Sequence, residues 1–235
     1  MTSALIVDER KNLNGCVDDG TPGSVRIPRS ARTLSGFRAW VLSDEFPEKL
    51  KATYLRGDVI LDMSKEEIRT HAAVKTAVVV PVANLIEELD FGDLYINGVL
   101  ISNAAARVSN NPDAVAVSWA SLEAGRVRYV TRRNRDLEIE GSPDWVLEIV
   151  SDSSVWKDTQ ELVTAYHRAR IGEYWLVDAR GDEIDFRVLH WRKDRYVAAV
   201  AKDGSLYSRI FERWFQLTRK RDRRGAWKYV LRVRV

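Results

Sequence analysis

Apolar positions fall along this chain as one long helical stripe set among short strand-like runs. Ile68, Ala72, Val78, Val79, Val82, Leu85, Ile86 and Leu89 follow a largely helical period, with His71 and Lys75 on the same stripe. Ser64 with Glu67 three residues on reads as a capping box that starts this helix at Ser64, and Pro81 is expected to kink or divide it. Upstream, YLRGDVILDMS reads as a strand or hairpin ending at Met63. Downstream, LYINGVLIS and DAVAVSWA are strand candidates parted by the loop NAAARVSNNP, and RVRYVT with LEIEG reads as a hairpin. SPDWVLEIV is a short apolar run after a proline, which predicts a strand buried on both faces. Asp158 is expected to cap a helix through Glu161 over TQELVTAYHRAR, and Gly172 to end it in the left-handed conformation. EYWLVD follows at once, so strand, helix and strand predict a parallel pair with a right-handed crossover. The tail, IDFRVLHWR, RYVAAVA, WFQLT and WKYVLRVRV, alternates like antiparallel strands.

Composition adds bounds. A chain of 235 residues, 45% hydrophobic and 30% charged, has enough apolar material for a sizeable core. No apolar run approaches the roughly 20 residues that span a bilayer, and the start, MTSALIVDERKNLNG, lacks a basic segment followed by an apolar one. Cys16 is the single cysteine, which excludes a disulfide framework and a cysteine-built zinc cluster; with His71, His167 and His190 as the only histidines, a histidine-rich metal site is also disfavoured. A reduced, cytoplasmic setting is the expectation. Net charge is only +3, but nine basic residues crowd the stretch from Arg213 to Val235, interleaved with Trp214, Phe215, Trp227 and Tyr229. Such a mixture suits a phosphate backbone, and it also suits a solvated hairpin turning at RDRRG.

Glu148 interrupts the apolar run of SPDWVLEIV, where an unpaired charge would be costly. Alternation places Asp144, Val146, Glu148 and Val150 on one face of that strand. Asp144 and Glu148 lie about 13 Å apart along an extended chain, too far to share one ion directly. NNPDAVAV repeats the same arrangement of turn, proline, aspartate and apolar strand, so Asp113 is the natural second carboxylate. Two carboxylates on adjacent strands suit a hard divalent cation whose other ligands are water and substrate phosphate. Asp144 is expected to bond turn amides, and Asp62 to face water.

NNPDAVAV, GSPDWVLEIVSDSSVWKDT and AYHRARIGEYWLVDAR together resemble the Uma-type family of putative restriction endonucleases, a branch of the PD-(D/E)XK nuclease superfamily. The similarity extends over roughly residues 50–220. It implies Asp113 as the motif aspartate, Glu148 as the second acid, and the carbonyl of Ile149 as a further metal ligand. It also places a histidine at the position of His71. The lysine of the superfamily would fall at Val150, or in many Uma-type members at Leu162, and this chain has neither. Lys157 is the nearby lysine that is expected to substitute, because a cation there orients water and offsets charge in the transition state.

The expected fold is therefore α/β (α+β): a restriction-endonuclease-like mixed sheet flanked by helices, with a C-terminal antiparallel extension. Residues 1–30 are expected as a flexible arm and 31–235 as one nuclease-like domain, its core about 50–180 and its β-rich extension about 181–235. The expected activity is DNA phosphodiester hydrolysis with Mg²⁺ or Mn²⁺, DNA as partner, no membrane, and a homodimer so that both strands can be cut. The alternative is a nuclease-like fold, weak or inactive, that binds nucleic acid or a protein.

Overall fold

Three sheets carry the strands of the computed structural model, which describes residues 25–47 and 50–235. Most of the arm expected over residues 1–30, and Cys16 with it, lies outside the described residues. A 3₁₀ turn, Arg29–Arg32, already buries Ala31, and Thr33 then caps helix α1 (Leu34–Val41) by accepting the Gly36 N–H. The hairpin β1 (Lys51–Leu55) and β2 (Asp58–Asp62) turns on Arg56 and Gly57, both at positive φ. Helix α2 (Ala73–Glu88) follows, then β3 (Gly92–Ile96), β4 (Leu100–Asn103), β5 (Val108–Asn110) and β6 (Ala114–Ser118). A short helix α3 (Trp119–Glu123) leads to the hairpin β7 (Val127–Arg132) and β8 (Arg135–Gly141), then to β9 (Trp145–Ile149). Helix α4 (Leu162–Arg168) connects to β10 (Glu173–Asp178), and the chain closes with β11 (Asp185–Trp191), β12 (Tyr196–Ala198), β13 (Leu206–Ser208), β14 (Arg213–Arg221) and β15 (Trp227–Arg234).

The first sheet runs β2-β1-β5-β4-β8-β7, the second β12-β11-β10-β9-β6-β3, and the third is β13-β14-β15. The expected sheet is thus divided in two, with the antiparallel extension beside it. β9 and β10 are parallel, as the strand-helix-strand pattern requires, and β4 pairs with β8 in parallel; the remaining pairs are antiparallel.

The second sheet is buried on both faces, which explains the unbroken apolar character of β9. Trp145, Leu147 and Ile149 pack with Trp175 against α2 and against Phe215, Tyr229 and Leu231 of the third sheet. Val146 and Val150 point the other way, toward Leu162, Ala165 and Tyr166 and the first-sheet residues Leu55, Ile101, Val108 and Ile139. Glu148 shares the side of Val146 and Val150, as the alternation predicts. Trp145 meets Trp175 edge-on at 5.3 Å, so truncating either ring to alanine would cost about 3–5 kcal/mol.

Five local expectations are corrected. The helix does not begin at Ser64: Ser64 Oγ is engaged by Ser153 Oγ at 3.1 Å, its N–H is taken by Asp62, and Glu67 caps instead, accepting from Arg69 N and Thr70 N. Helical backbone starts with a wide π-type turn, Ile68–Ala72. Pro81 does not divide α2, because Val78, Val79, Val82, Leu85 and Ile86 anchor one buried face across it, against an interior-proline cost of roughly 3 kcal/mol. LYINGVLIS is two strands in two sheets, parted by Asn97 and Gly98, both left-handed. Asp158 is no cap: it sits inside a second π-type turn, Lys157–Glu161. Gly172 is not the left-handed residue after α4, since Arg170 takes that conformation; glycine is required there because a Cβ would stand 2.9 Å from the Asp144 carbonyl oxygen.

Candidate active site

Strand pairing brings the two acids together. β6 lies antiparallel to β9 with Ala114 opposite Leu147, so Asp113, one residue before β6, stands beside the end of β9. Asp113 N donates to Leu147 O at 3.1 Å, and Ile149 N donates to Asp113 Oδ2 at 2.7 Å. Glu148 lies between these two contacts in sequence. Its Oε1 accepts from the Tyr166 hydroxyl at 2.6 Å and from Asn110 Nδ2 at 2.8 Å, and Asn110 is itself fixed by Thr53 Oγ1 at 2.5 Å. Among the described residues no lysine, arginine or histidine nitrogen pairs with Glu148. Burial therefore pushes its carboxyl up to about 8, with the Lys157 charge opposing the shift and Asp158 and Asp113 adding to it.

Asp113 has the opposite electrostatics. Burial favours its neutral form, but the close approach of His71 and the charge of Lys75 outweigh it and hold the carboxyl well below the usual carboxylate range. His71 Nε2 lies 3.3 Å from Oδ2, and Lys75 Nζ lies 2.9 Å from Oδ1. Four residues apart, they project from one face of the helical stretch that the π-type turn opens into α2. Lys75 also reaches Glu66 Oε1 at 2.6 Å and Asn97 Oδ1 at 2.8 Å, and His71 Nδ1 lies 3.0 Å from the same Glu66 oxygen. Burial opposes charge on His71 and on Lys75, yet Asp113 and Glu66 hold both above their ordinary values.

Lys157 is not a solvated loop residue. Its side chain is 15% exposed, and Nζ stands 2.9 Å from Asp158 Oδ1, an ion contact whose angle falls short of a hydrogen bond. Burial works against this ammonium, but Asp158 and then Glu148 outweigh it and keep its pKa raised. Burial raises the Asp158 carboxyl, and Tyr174 OH donates to the Asp158 backbone carbonyl at 2.8 Å. The two π-type turns of the described chain carry His71 and Lys157.

Of the residues named from sequence, Asp113, Glu148 and His71 converge, Ile149 bonds Asp113 through its N–H, and Lys157 stands beside them. Asp144 is separate and structural, accepting from Ser118 N and Ser121 Oγ at 2.7 Å each. Sequence reasoning missed Lys75, Glu66, Asn110 and Tyr166 as site residues. The four-residue spacing of His71 and Lys75 on one stripe was the available signal for Lys75. Val150 and Leu162, at the lysine positions of the resemblance, are both fully buried in the core.

The donor set fits a hard divalent cation of the kind the resemblance implies. Asp113 and Glu148 supply oxygen, and both hydrogen bonds to Glu148 go to Oε1. Among the described residues no three acidic, histidine or cysteine groups are placed to hold an ion by themselves.

The C-terminal hairpin is basic. β14 and β15 form a hairpin whose tip exposes Lys220, Arg221, Arg223, Arg224 and Lys228. Arg221 and Arg219 stack on Trp227 at 3.6 and 4.2 Å, and Arg219 also donates to the carbonyls of Ala179, Gly181 and Asp182. Backbone N–H groups of Arg224 and Ala226, and then the charge of Arg69, hold the Asp222 carboxyl below its usual range. A cavity of about 420 Å³ opens elsewhere, between the end of α1 and the tip of β7-β8, and is lined by Asp44, Arg133 and Arg135 but by none of the acids above. No helix among the described residues is long and apolar enough to cross a membrane.

Comparison with known proteins bears on the family and the fold. The model of the Uma2 family, described as putative restriction endonuclease, matches residues 36–219. Among solved structures, the chain is similar to a putative nuclease belonging to DUF820 from Anabaena variabilis ATCC 29413, with a TM-score of 0.55 and 16% identity, over 77% of this chain and 90% of that one. At that identity the likeness concerns the fold. No curated protein matches.

Proposed function

Since the chain belongs to the Uma2 family of restriction-endonuclease-like proteins, we propose that it is a divalent-metal-dependent endonuclease that hydrolyses DNA phosphodiester bonds at Asp113 and Glu148. One observation supports the reading: the buried carboxylates of Asp113, just before β6, and Glu148, on the neighbouring β9, are close enough for the charge of one to act on the other, and among the described residues no cationic side chain pairs with Glu148. A buried carboxylate without a cation is the place where an ion would do most, because the alternative is a neutral acid.

Asp113 and Glu148 would hold Mg²⁺ or Mn²⁺, with the Ile149 carbonyl as a further ligand. Bound there, the ion supplies Lewis-acid polarisation of the phosphate and acidifies water. Tyr166 and Asn110 orient Glu148, while Ile149 N, His71 and Lys75 fix Asp113. Lys157 supplies positive charge beside Glu148, in the role that Val150 and Leu162 leave open. The basic hairpin tip would track the DNA backbone. Cutting both strands of a duplex calls for two such chains.

The test is nicking of supercoiled plasmid by the purified protein with Mg²⁺ or Mn²⁺ and with chelator. Metal-dependent nicking that Glu148→Ala abolishes supports the reading. Nicking that persists in chelator or in the variant overturns it. DNA binding without turnover under any metal favours the alternative of a nuclease-like binding protein, for which the two buried apolar residues at the lysine positions argue.

A further inference from the structure

Lys75 occupies the acidic site as a cation already surrounded by oxygens. Its ammonium lies 2.6 Å from Glu66 Oε1, 2.9 Å from Asp113 Oδ1 and 2.8 Å from Asn97 Oδ1. An ammonium has three N–H donors, and three oxygens are in reach. They come from three separate segments: the loop before the first π-type turn, the β3-β4 turn and the loop before β6. Lys75 itself is 7% exposed in its side chain, so this is a built position rather than a surface contact.

The site therefore has two unlike halves. On the side of Glu66 and Asp113 Oδ1 a protein cation is in place. On the side of Glu148 no cation among the described residues pairs with the carboxylate, and Lys157 is turned to Asp158. With Lys75 present, one divalent ion neutralises the carboxylate charge left on Asp113, Glu66 and Glu148. A second ion would exceed it. Like charges within a few ångströms repel strongly in a buried site.

We propose that the site takes a single divalent ion per chain, with Lys75 as the resident cation where a second ion would otherwise sit. This rests on the metal-dependent reading above and adds its stoichiometry. Lys75 acts as a positioning residue for Asp113 and as an excluder of a second ion, not as an ion-dependent extra.

Mn²⁺ bound per chain, counted by equilibrium dialysis on the full chain without DNA, tests this with no recourse to activity. The expected count is one for the wild type. Lys75→Ala releases the oxygens of Glu66, Asp113 and Asn97, and the expected count rises to two. Circular dichroism checks that the variant is folded; should it not be, Lys75→Gln removes the charge at similar length and carries the same expectation. Two ions on the wild type, or one on a folded neutral variant, overturn the inference and leave the metal reading standing. No ion on the wild type overturns the metal reading itself.

Discussion

Ile149 N donates to Asp113 Oδ2 at 2.7 Å, tying the loop before β6 to the last residue of β9. This bond, rather than the charge of Asp113, is what an amide at the same position can keep. Asp113→Asn retains an oxygen for Ile149 but loses the charge that holds Lys75 and His71. Asp113→Ala loses both and leaves the buried N–H without a partner. Nicking is expected to vanish in both variants, and urea denaturation should find the alanine variant less stable than the asparagine one by about 1–3 kcal/mol. Equal stabilities would mean that the bond contributes nothing.

Much of this arrangement was legible in the sequence. The repeated Pro-Asp setting and the acid inside an apolar strand are local patterns, and the β9-α4-β10 unit follows from period and spacing. The π-type turns were not legible, because such single wide turns have no residue-type signature in a short window of sequence. Nor was the role of Lys75: on a helical stripe a lysine reads as a rim residue, and only the approach of the β3-β4 turn and the loop before β6 surrounds it with oxygens. Asn110 and Tyr166 meet at Glu148 from the first sheet and α4, an encounter that no short-range pattern encodes.

Tyr166→Phe removes one hydroxyl that donates to Glu148 Oε1 at 2.6 Å and leaves the ring in place. A partner that orients a metal-binding carboxylate is typically worth about 10–100-fold in metal affinity or activity. Weaker Mn²⁺ binding and slower nicking, both within that range, are expected. An unchanged ion affinity measured by calorimetry would mean that Tyr166 is packing alone.

Glu148 gives the metal-free protein a pH dependence of defined sign. Its carboxyl stands at about 8 in the folded chain against an ordinary 4.5, because burial disfavours the charge. Between these values the folded state holds a proton that the unfolded state has lost, so stability falls as pH rises, by at most about 1.4 kcal/mol per pH unit. Glu148→Gln cannot ionise. In chelator it should gain on the wild type from pH 5 to 8 and level off above 8, as read by urea midpoints. A difference that stays flat across this window would show that Glu148 does not titrate there.

Arg223 and Arg224 at the hairpin tip are exposed, whereas Arg219 bonds the carbonyls of Ala179 and Gly181. Removing the first two should weaken duplex binding and reduce the salt slope by about 0.9 for each phosphate they neutralise, with stability unchanged within about 0.5 kcal/mol. Arg219→Ala should instead lower stability. Fluorescence anisotropy over a salt series, beside thermal melts, separates the two. Unaltered affinity in the double tip variant would remove the hairpin from the DNA-binding surface.

Lys157 and Asp158 form a buried ion pair at 2.9 Å, so a single substitution confounds folding with chemistry. Lys157→Met leaves Asp158 buried without its cation, which should cost about 3–5 kcal/mol. Adding Asp158→Asn removes the stranded charge, and an apolar or neutral replacement of the whole pair is often close to neutral in stability. The double variant is therefore expected to recover most of the lost stability while nicking stays depressed by roughly 10²–10³-fold, the scale for losing one group that stabilises transition-state charge. Calorimetric melting and plasmid nicking on the wild type, the single and the double variant decide it. If the double variant both recovers its stability and cuts at the wild-type rate, Lys157 serves only to neutralise Asp158, and the positive charge beside Glu148 has to come from another residue.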